Sequence, residues 1–584
     1  MKTAVSLVFL ISLMAGFAAA QIPQGTFKHI IIVVQENRTP DNLFGSSPPS
    51  GARCESGVPF ESGVDIDNGA PNKIQGQMNP TCNVSTPLAS TCNPSHEHVD
   101  FVNECDLTGG ACLMDGVCSN MSQGCSGTCP QYAYVPQSDV QQYFQIAETY
   151  GFANYMFQTN EGPSFPAHQF LFAGTSAPVI YNDANDPCSG LRLPPCWTWF
   201  VADNPEGFTN AEDDTGCTAP SNEFLRTIDP GATEQQSSYC TNNVGNPWCS
   251  IPCYERAAPN QQGQYTYGSL ADLLQYNNIG WRYYTPTLYT TGDTETIKNG
   301  LWVAPIAIKH FCQAGTYNNV YECTGLLNNG QYAANMRYET TAHPFPLVDD
   351  INSCSLANVS WAIPDKRWSD HGSEDDGSGP FYVANIVNTL GDSTCTDTGN
   401  GSSVPYWQDT AIFIVWDDFG GWVDHVSPTP YPGVNRTGST WGSGYTYGLR
   451  VPLLVVSAYT GILQNGTYSP YISGACGASP LPSCPNNVAP YVHDFGSILA
   501  FIEWNFLGQI AIGNIGPKQY PFADQYAPEW QAHPPTVPLL DFFQLTSPRP
   551  FVDIVIPPGY DANYFQNYFT NNPSQTPDGP DADD

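Results

Sequence analysis

Three runs of apolar, mostly β-branched residues punctuate the chain, at 30–34 within HIIIVVQ, at 411–416 (AIFIVW) and at 451–456 (VPLLVV). None alternates with polar positions, which is the pattern of strands covered on both faces. Each stops abruptly in polar or small residues. Helical patterns lie among them. Ser138 is placed to cap a helix whose Val140, Tyr143, Phe144 and Ala147 share one face, Tyr382, Ile386, Val387 and Leu390 define a second, and 497–507 a third. Strands alternating with helices predict an α/β fold around a largely parallel sheet.

More than 400 residues separate the first apolar run from the last. The segments at about 46–130 and 180–260 are turn-like and rich in cysteine, so one large domain over 21–555 with Cys-rich insertions is predicted. No internal repeat is visible. Residues 556–584 are acidic and Pro-rich without apolar periodicity, and read as a disordered tail. At the other end, Lys2, an apolar stretch and Ala18-Ala19-Ala20 before Gln21 form a secretory signal peptide, residues 1–20, which predicts a secreted or periplasmic protein. No other segment offers about 18 consecutive apolar residues, so no integral membrane segment is expected.

All 20 cysteines follow the signal, and an even number in an oxidising compartment reads as disulfides. A zinc site is disfavoured because paired Cys-x2-Cys units are missing. Without Lys2 the chain carries 17 basic against 54 acidic residues, a net of −37. Such a surface repels nucleic acid and anionic membranes at neutral pH and tolerates acid, where protonation relieves its self-repulsion. Charged residues are only 12% of the chain and aromatics 13%, a folded composition with a polar, uncharged exterior.

The polar residues at the run ends carry the candidate chemistry. Glu36 and Asn37 follow the first run, and Asp417 and Asp418 follow the second, ahead of Gly420-Gly421. In open α/β sheets ligands bind just beyond the carboxyl ends of strands. Two adjacent carboxylates repel unless a proton or a cation neutralises them, and hard divalent ions take carboxylate and amide oxygens. Glu36, Asn37, Asp417 and Asp418 therefore form a candidate ligand set for a divalent metal ion whose identity stays open. Ser164, in GPSFP, is a candidate nucleophile, since a serine needs a base or a metal to be activated; no G-x-S-x-G surrounds it. Taken singly, each has a plainer reading as a turn residue or an exposed Asp-Asp pair.

Four ordered motifs change that balance. Glu36-Asn37-Arg38-Thr39 with Asp41 and Phe44-Gly45, then Gly162-Pro163-Ser164-Phe165-Pro166, then Asp417-Asp418-Phe419-Gly420-Gly421 with Asp424-His425-Val426, and Gly448-Leu449-Arg450-Val451-Pro452 resemble the phosphoesterase family of non-specific phospholipases C and secreted acid phosphatases. The resemblance spans roughly residues 27–510. It implies an alkaline-phosphatase-like α/β fold, metal-dependent phosphoryl transfer, a metal held by Glu36, Asn37, Ser164, Asp417 and Asp418, and Ser164 as nucleophile through a phosphoserine. His96, His310 and His371 correspond to the family's catalytic histidines, with His96 preferred as the proton donor to the leaving oxygen.

The leading expectation is an exported metal-dependent phosphoric ester hydrolase, an acid phosphatase acting on small phosphate esters. Asp418 stands where many phospholipase-like members have Glu, and Ser164 where they have Thr, which leans toward that branch. The alternative is a phospholipase C acting on phospholipid head groups, although no basic, apolar-rich docking stretch is present. From another class comes a secreted carbohydrate-binding or surface protein with an inert site.

Overall fold

The computed structural model describes residues 22–45, 87–105, 130–174, 269–286, 301–308, 333–396, 403–424, 447–473, 493–508 and 537–578, with short pieces between them. Its main sheet has eight strands: β1 (His29–Gln35), β2 (Gly151–Ala153), β3 (Trp281–Thr285), β4 (Met336–Tyr338), β5 (Val359–Ala362), β6 (Thr410–Trp416), β7 (Leu453–Ser457) and β8 (Tyr471–Ser473). Their spatial order is β4-β3-β5-β1-β6-β7-β2-β8.

The three apolar runs form the centre of this sheet. Every residue of β1, β6 and β7 is buried, as expected where helices cover both faces. Removing each Ile or Val side chain from water contributes about 2 kcal/mol, so the runs hold the sheet in one register. The third strand starts at Leu453, two residues later than its apolar run, because Pro452 has no N–H for the ladder. All neighbouring pairs are parallel except those of β7, which is antiparallel to β6 and β2. Seven carboxyl ends and the amino end of β7 therefore share one edge of the sheet. The predicted α/β fold with a mostly parallel sheet holds.

Among the described residues, helices α1 (Gln141–Thr149), α2 (Ser164–Ala173), α3 (Leu270–Tyr276), α4 (Gly379–Asp392) and α5 (Phe495–Leu507) accompany the sheet. Val140, Tyr143, Phe144 and Ala147 are buried as predicted, yet Ser138 does not cap α1: its hydroxyl donates to Asp139 Oδ1 instead. Helix α5 begins two residues before Ser497, because Asp494 accepts from the Ser497 amide in a reciprocal capping box.

The insertions are stapled. Cys92–Cys125 lies in the first and Cys217–Cys253 in the second, while Cys354–Cys395 joins the ends of the segment carrying β5 and α4. Loops of 33, 36 and 41 residues each lose roughly 4 kcal/mol of unfolded-state entropy on closure in the chain-entropy model. Among the described residues no helix is long and apolar enough to cross a membrane. The signal segment, 1–20, lies outside the described residues.

The tail expected to be disordered is ordered from 556 to 578. Ala562–Gln566 and Tyr568–Asn571 are helical, and Phe565 and Phe569 are buried against Trp368. Acidic composition masked these aromatics, whose i,i+4 spacing builds a short apolar face. Beyond them the Asp578 amide donates to Asp365 Oδ2 at 2.7 Å, and Arg367 reaches Gln575 and the Thr576 carbonyl.

Candidate active site

Parallel pairing of β1 with β6 sets Gln35 opposite Trp416, so the next residues, Glu36 and Asp417, leave the sheet side by side. The Asp417 amide donates to the Gln35 carbonyl at 3.0 Å. Asn37 then turns with φ 60°, a left-handed conformation that asparagine tolerates, and its amide donates to Asp417 Oδ1 at 3.0 Å. After Asp418 the chain passes Gly420, at φ 60°, where a Cβ would collide with the Asn37 carbonyl. Gly421, at φ 69°, lies where a Cβ would meet the Ser95 carbonyl at 2.6 Å. The Gly-Gly pair thus lets the three segments carrying Asn37, His96 and Asp418 close on one another.

Ser164 is the first residue of α2, beyond the carboxyl end of β2, rather than a turn residue. Its hydroxyl donates to Asp418 Oδ2 at 3.0 Å and lies 3.4 Å from Asn37 Oδ1. Gln158 braces this approach by donating to the Asn160 and Gly162 carbonyls and accepting from the Phe419 amide. His96 enters from the stapled first insertion: Nδ1 pairs with the Pro94 carbonyl at 3.0 Å and Nε2 with Asn37 Nδ2 at 3.1 Å. A proton on Nδ1 satisfies both contacts. His371, in the loop after β5, is buried with its ring 6.3 Å from that of His96.

Seven of the eight sequence-predicted residues thus meet at one edge: Glu36, Asn37, His96, Ser164, His371, Asp417 and Asp418. His310 lies outside the described residues. Sequence reasoning missed His168, one turn along α2 from Ser164, whose Nε2 is 3.0 Å from Glu36 Oε1 and 3.7 Å from Asp417 Oδ2. The i,i+4 spacing in SFPAH was the available signal. Burial holds the His168 pKa down at about 4, so the ring is neutral at ordinary pH.

Several charges in the motifs brace the site from behind. Arg450 makes a buried fork to both oxygens of Asp424, at 2.7 and 2.9 Å, and reaches Asp41 at 3.3 Å, tying three motifs together. Arg38 donates from Nε and Nη2 to the Asp370 carbonyl and lies over Trp422, anchoring the loop that presents His371. Tyr143 and Trp416 donate to Asp370 Oδ2. Burial raises the Asp370 carboxyl to about 7, against the pull of those donors and Arg38.

A second serine, histidine and aspartate meet at the end of β8 but cannot act as a triad. Ser473 donates to Asp541 Oδ2 at 2.6 Å and contacts His493 Nε2 at 2.9 Å, so one ring nitrogen faces both partners. A relay needs the histidine between them, using both nitrogens.

The strand-end cluster fits a cation. Glu36, His168 and Asp417 place one ligand atom each within 4.8 Å of one another, all buried. Asp417 Oδ2 has no hydrogen-bond partner, and burial together with the Asp417 charge pushes the Asp418 carboxyl well above the ordinary range. Both features are costs that a divalent ion removes.

Fold and site together define an α/β protein in which a helix-borne serine, histidines and paired carboxylates converge beyond the strand ends. The chain belongs to the phosphoesterase family, whose model matches residues 27–507. Similar curated proteins include a non-hemolytic phospholipase C of Burkholderia pseudomallei, 24% identical over 34% of this chain and 30% of that protein. Phospholipase C B of Mycobacterium tuberculosis is 29% identical over 24% of this chain and 29% of its own length. Non-specific phospholipase C5 of Arabidopsis thaliana is 25% identical over 29% and 33%. The chain therefore aligns with about a third of the length of these relatives.

Proposed function

We propose that the protein is an exported, metal-dependent phosphoric ester hydrolase that uses Ser164 as nucleophile and acts on small phosphate monoesters. The observation that carries this is Ser164 itself, buried at the head of α2 with its hydroxyl donating to Asp418 Oδ2. Glu36, Asn37, Ser164, Asp417 and Asp418 would hold the cation. Bound there, it supplies charge to offset the phosphoryl oxygens and to favour the ionised serine.

The chain's own residues do the rest. Asp418 accepts the Ser164 proton as Oγ attacks phosphorus, and Asn37 fixes the Oγ position from its other side. A histidine protonates the departing alkoxide; His371 is the better placed for this, because His96 Nε2 is held by the Asn37 amide whose oxygen faces Ser164. Water then hydrolyses the phosphoserine, with a histidine taking its proton. Export is supported by three disulfides among the described residues, which suit an oxidising compartment.

The names of the relatives favour a second reading, a phospholipase C that cleaves phospholipid head groups. The same serine chemistry serves both, and the difference lies in the leaving group. Purified protein assayed on an aryl phosphate and on phosphatidylcholine vesicles, with and without chelator, separates them. Chelator-sensitive release from the aryl phosphate alone supports the phosphatase; release of phosphocholine from vesicles supports the lipase; neither supports an inert site.

A further inference from the structure

We propose that His168 is an inner-sphere nitrogen ligand of the cation, making a mixed nitrogen and oxygen site that prefers a borderline ion such as Zn2+ or Co2+ over Mg2+ or Ca2+. This rests on the reading above that a cation is held at the strand ends, and it adds a residue and a metal class to that reading.

The geometry points there from three directions. His168 Nε2 lies 3.0 Å from Glu36 Oε1 and 3.7 Å from Asp417 Oδ2, and these atoms come from a helix and two different strand ends. Two ligands that each lie about 2.1 Å from one ion stand roughly 3.0–3.5 Å apart, so the spacing suits a shared centre. Asp417 Oδ2 is fully buried and has no hydrogen-bond partner, although its sister Oδ1 accepts from the Asn37 amide. That oxygen faces His168 Nε2 across 3.7 Å, too far for a hydrogen bond and close enough for both atoms to share one ion.

The helix supplies the third argument. Ser164 and His168 are one turn apart on α2, so the element that delivers the serine oxygen also delivers the imidazole to the same edge. His168 is buried and its ring lies nearly parallel to that of Trp302, at an interplanar angle of 8°. With its proton on Nε2 the ring donates to Glu36; with the proton on Nδ1 it presents a lone pair between two carboxylates. The second tautomer is the one a metal ligand uses. A neutral imidazole in an otherwise oxygen set shifts affinity toward Zn2+ and Co2+, whereas Mg2+ and Ca2+ favour oxygen alone.

The test is metal binding by the full chain, read without any assay of turnover. Wild type, His168→Gln, His96→Gln and His371→Gln are stripped and titrated with Zn2+, Co2+ and Mg2+, and Cu2+-loaded samples are examined by pulsed EPR for directly bound 14N. Glutamine at 168 keeps a hydrogen bond to Glu36 within reach but offers only an amide.

The expected result is a 10- to 100-fold loss of Zn2+ and Co2+ affinity in His168→Gln with less than threefold change for Mg2+, and loss of the directly bound nitrogen. His96→Gln and His371→Gln should both keep that nitrogen, which leaves His168 as its source among the described histidines of the site if His168→Gln does not fold. Equal loss for all three ions, or a nitrogen signal that survives in His168→Gln or vanishes in His96→Gln or His371→Gln, overturns the ligand role and leaves the proposed hydrolase standing. A wild type that binds none of the ions overturns both.

Discussion

Ser164 and Asp418, 254 residues apart in sequence, share a 3.0 Å hydrogen bond from the serine hydroxyl to the Asp418 carboxylate. If this pair starts the reaction, Ser164→Ala removes the attacking atom and leaves the fold intact. Hydrolysis of an aryl phosphate should fall at least a thousandfold, about 4 kcal/mol in the barrier, with an unchanged urea midpoint. A variant that keeps more than a tenth of the rate would remove Ser164 from the mechanism.

Gly420 admits no side chain. Its φ of 60° and the collision of an added Cβ with the Asn37 carbonyl mean that Gly420→Ala must push the Asp418 segment away from Asn37. Stability should drop by about 2 kcal/mol or more, and activity should fall further than stability explains. Chemical denaturation beside a rate assay under fully folded conditions reads both, and a wild-type midpoint would show that the turn has room.

Chelation should cost more stability as pH rises. The Asp418 carboxyl is held well above its ordinary range, by burial first and by Asp417 second, so at low pH it keeps a proton that relieves the pair. At higher pH that relief is withdrawn, and the cation's contribution grows. Melting curves with and without chelator should separate more at pH 8 than at pH 5; equal separation would place the cation away from this pair.

Asp370 offers a titration that does not touch the proposed ligands. Its folded carboxyl is raised to about 7, whereas an unfolded aspartate titrates at about 3.9. Between those values the folded protein holds a proton that the unfolded chain has released, so this residue's contribution to stability falls as pH rises and levels off above about 7. The slope is at most about 1.4 kcal/mol per pH unit. Asp370→Asn lacks the titration and suits the residue's φ of 73°. The stability of wild type relative to this variant should decline from pH 5 to 7 and then hold; a constant difference would refute the raised value.

Much of this was legible because the apolar runs are both the strongest pattern and the physical support of the site. Once 30–34 and 411–416 are read as parallel neighbours, Glu36 and Asp417 must emerge together. His168 was hidden by chemistry, since a histidine amid SFPAHQFLFA reads as part of an apolar helix until the helix is aimed. Arg38 and Arg450 were legible as motif members but not as braces, because their partners Asp370 and Asp424 are 332 and 26 residues away. The ordered 556–578 segment was missed because net charge was weighed above aromatic spacing.

The contacts of residues 575–578 with 365–367 tie together two distant parts of the sequence. Arg367 meets Gln575 across 208 residues of chain, in the same stretch that leads into Asp370 and His371. A disturbance of residues 575–578 is thereby transmitted through Arg367 and Asp365 to the stretch just ahead of His371, so two parts of the chain far apart in sequence behave as one mechanical unit.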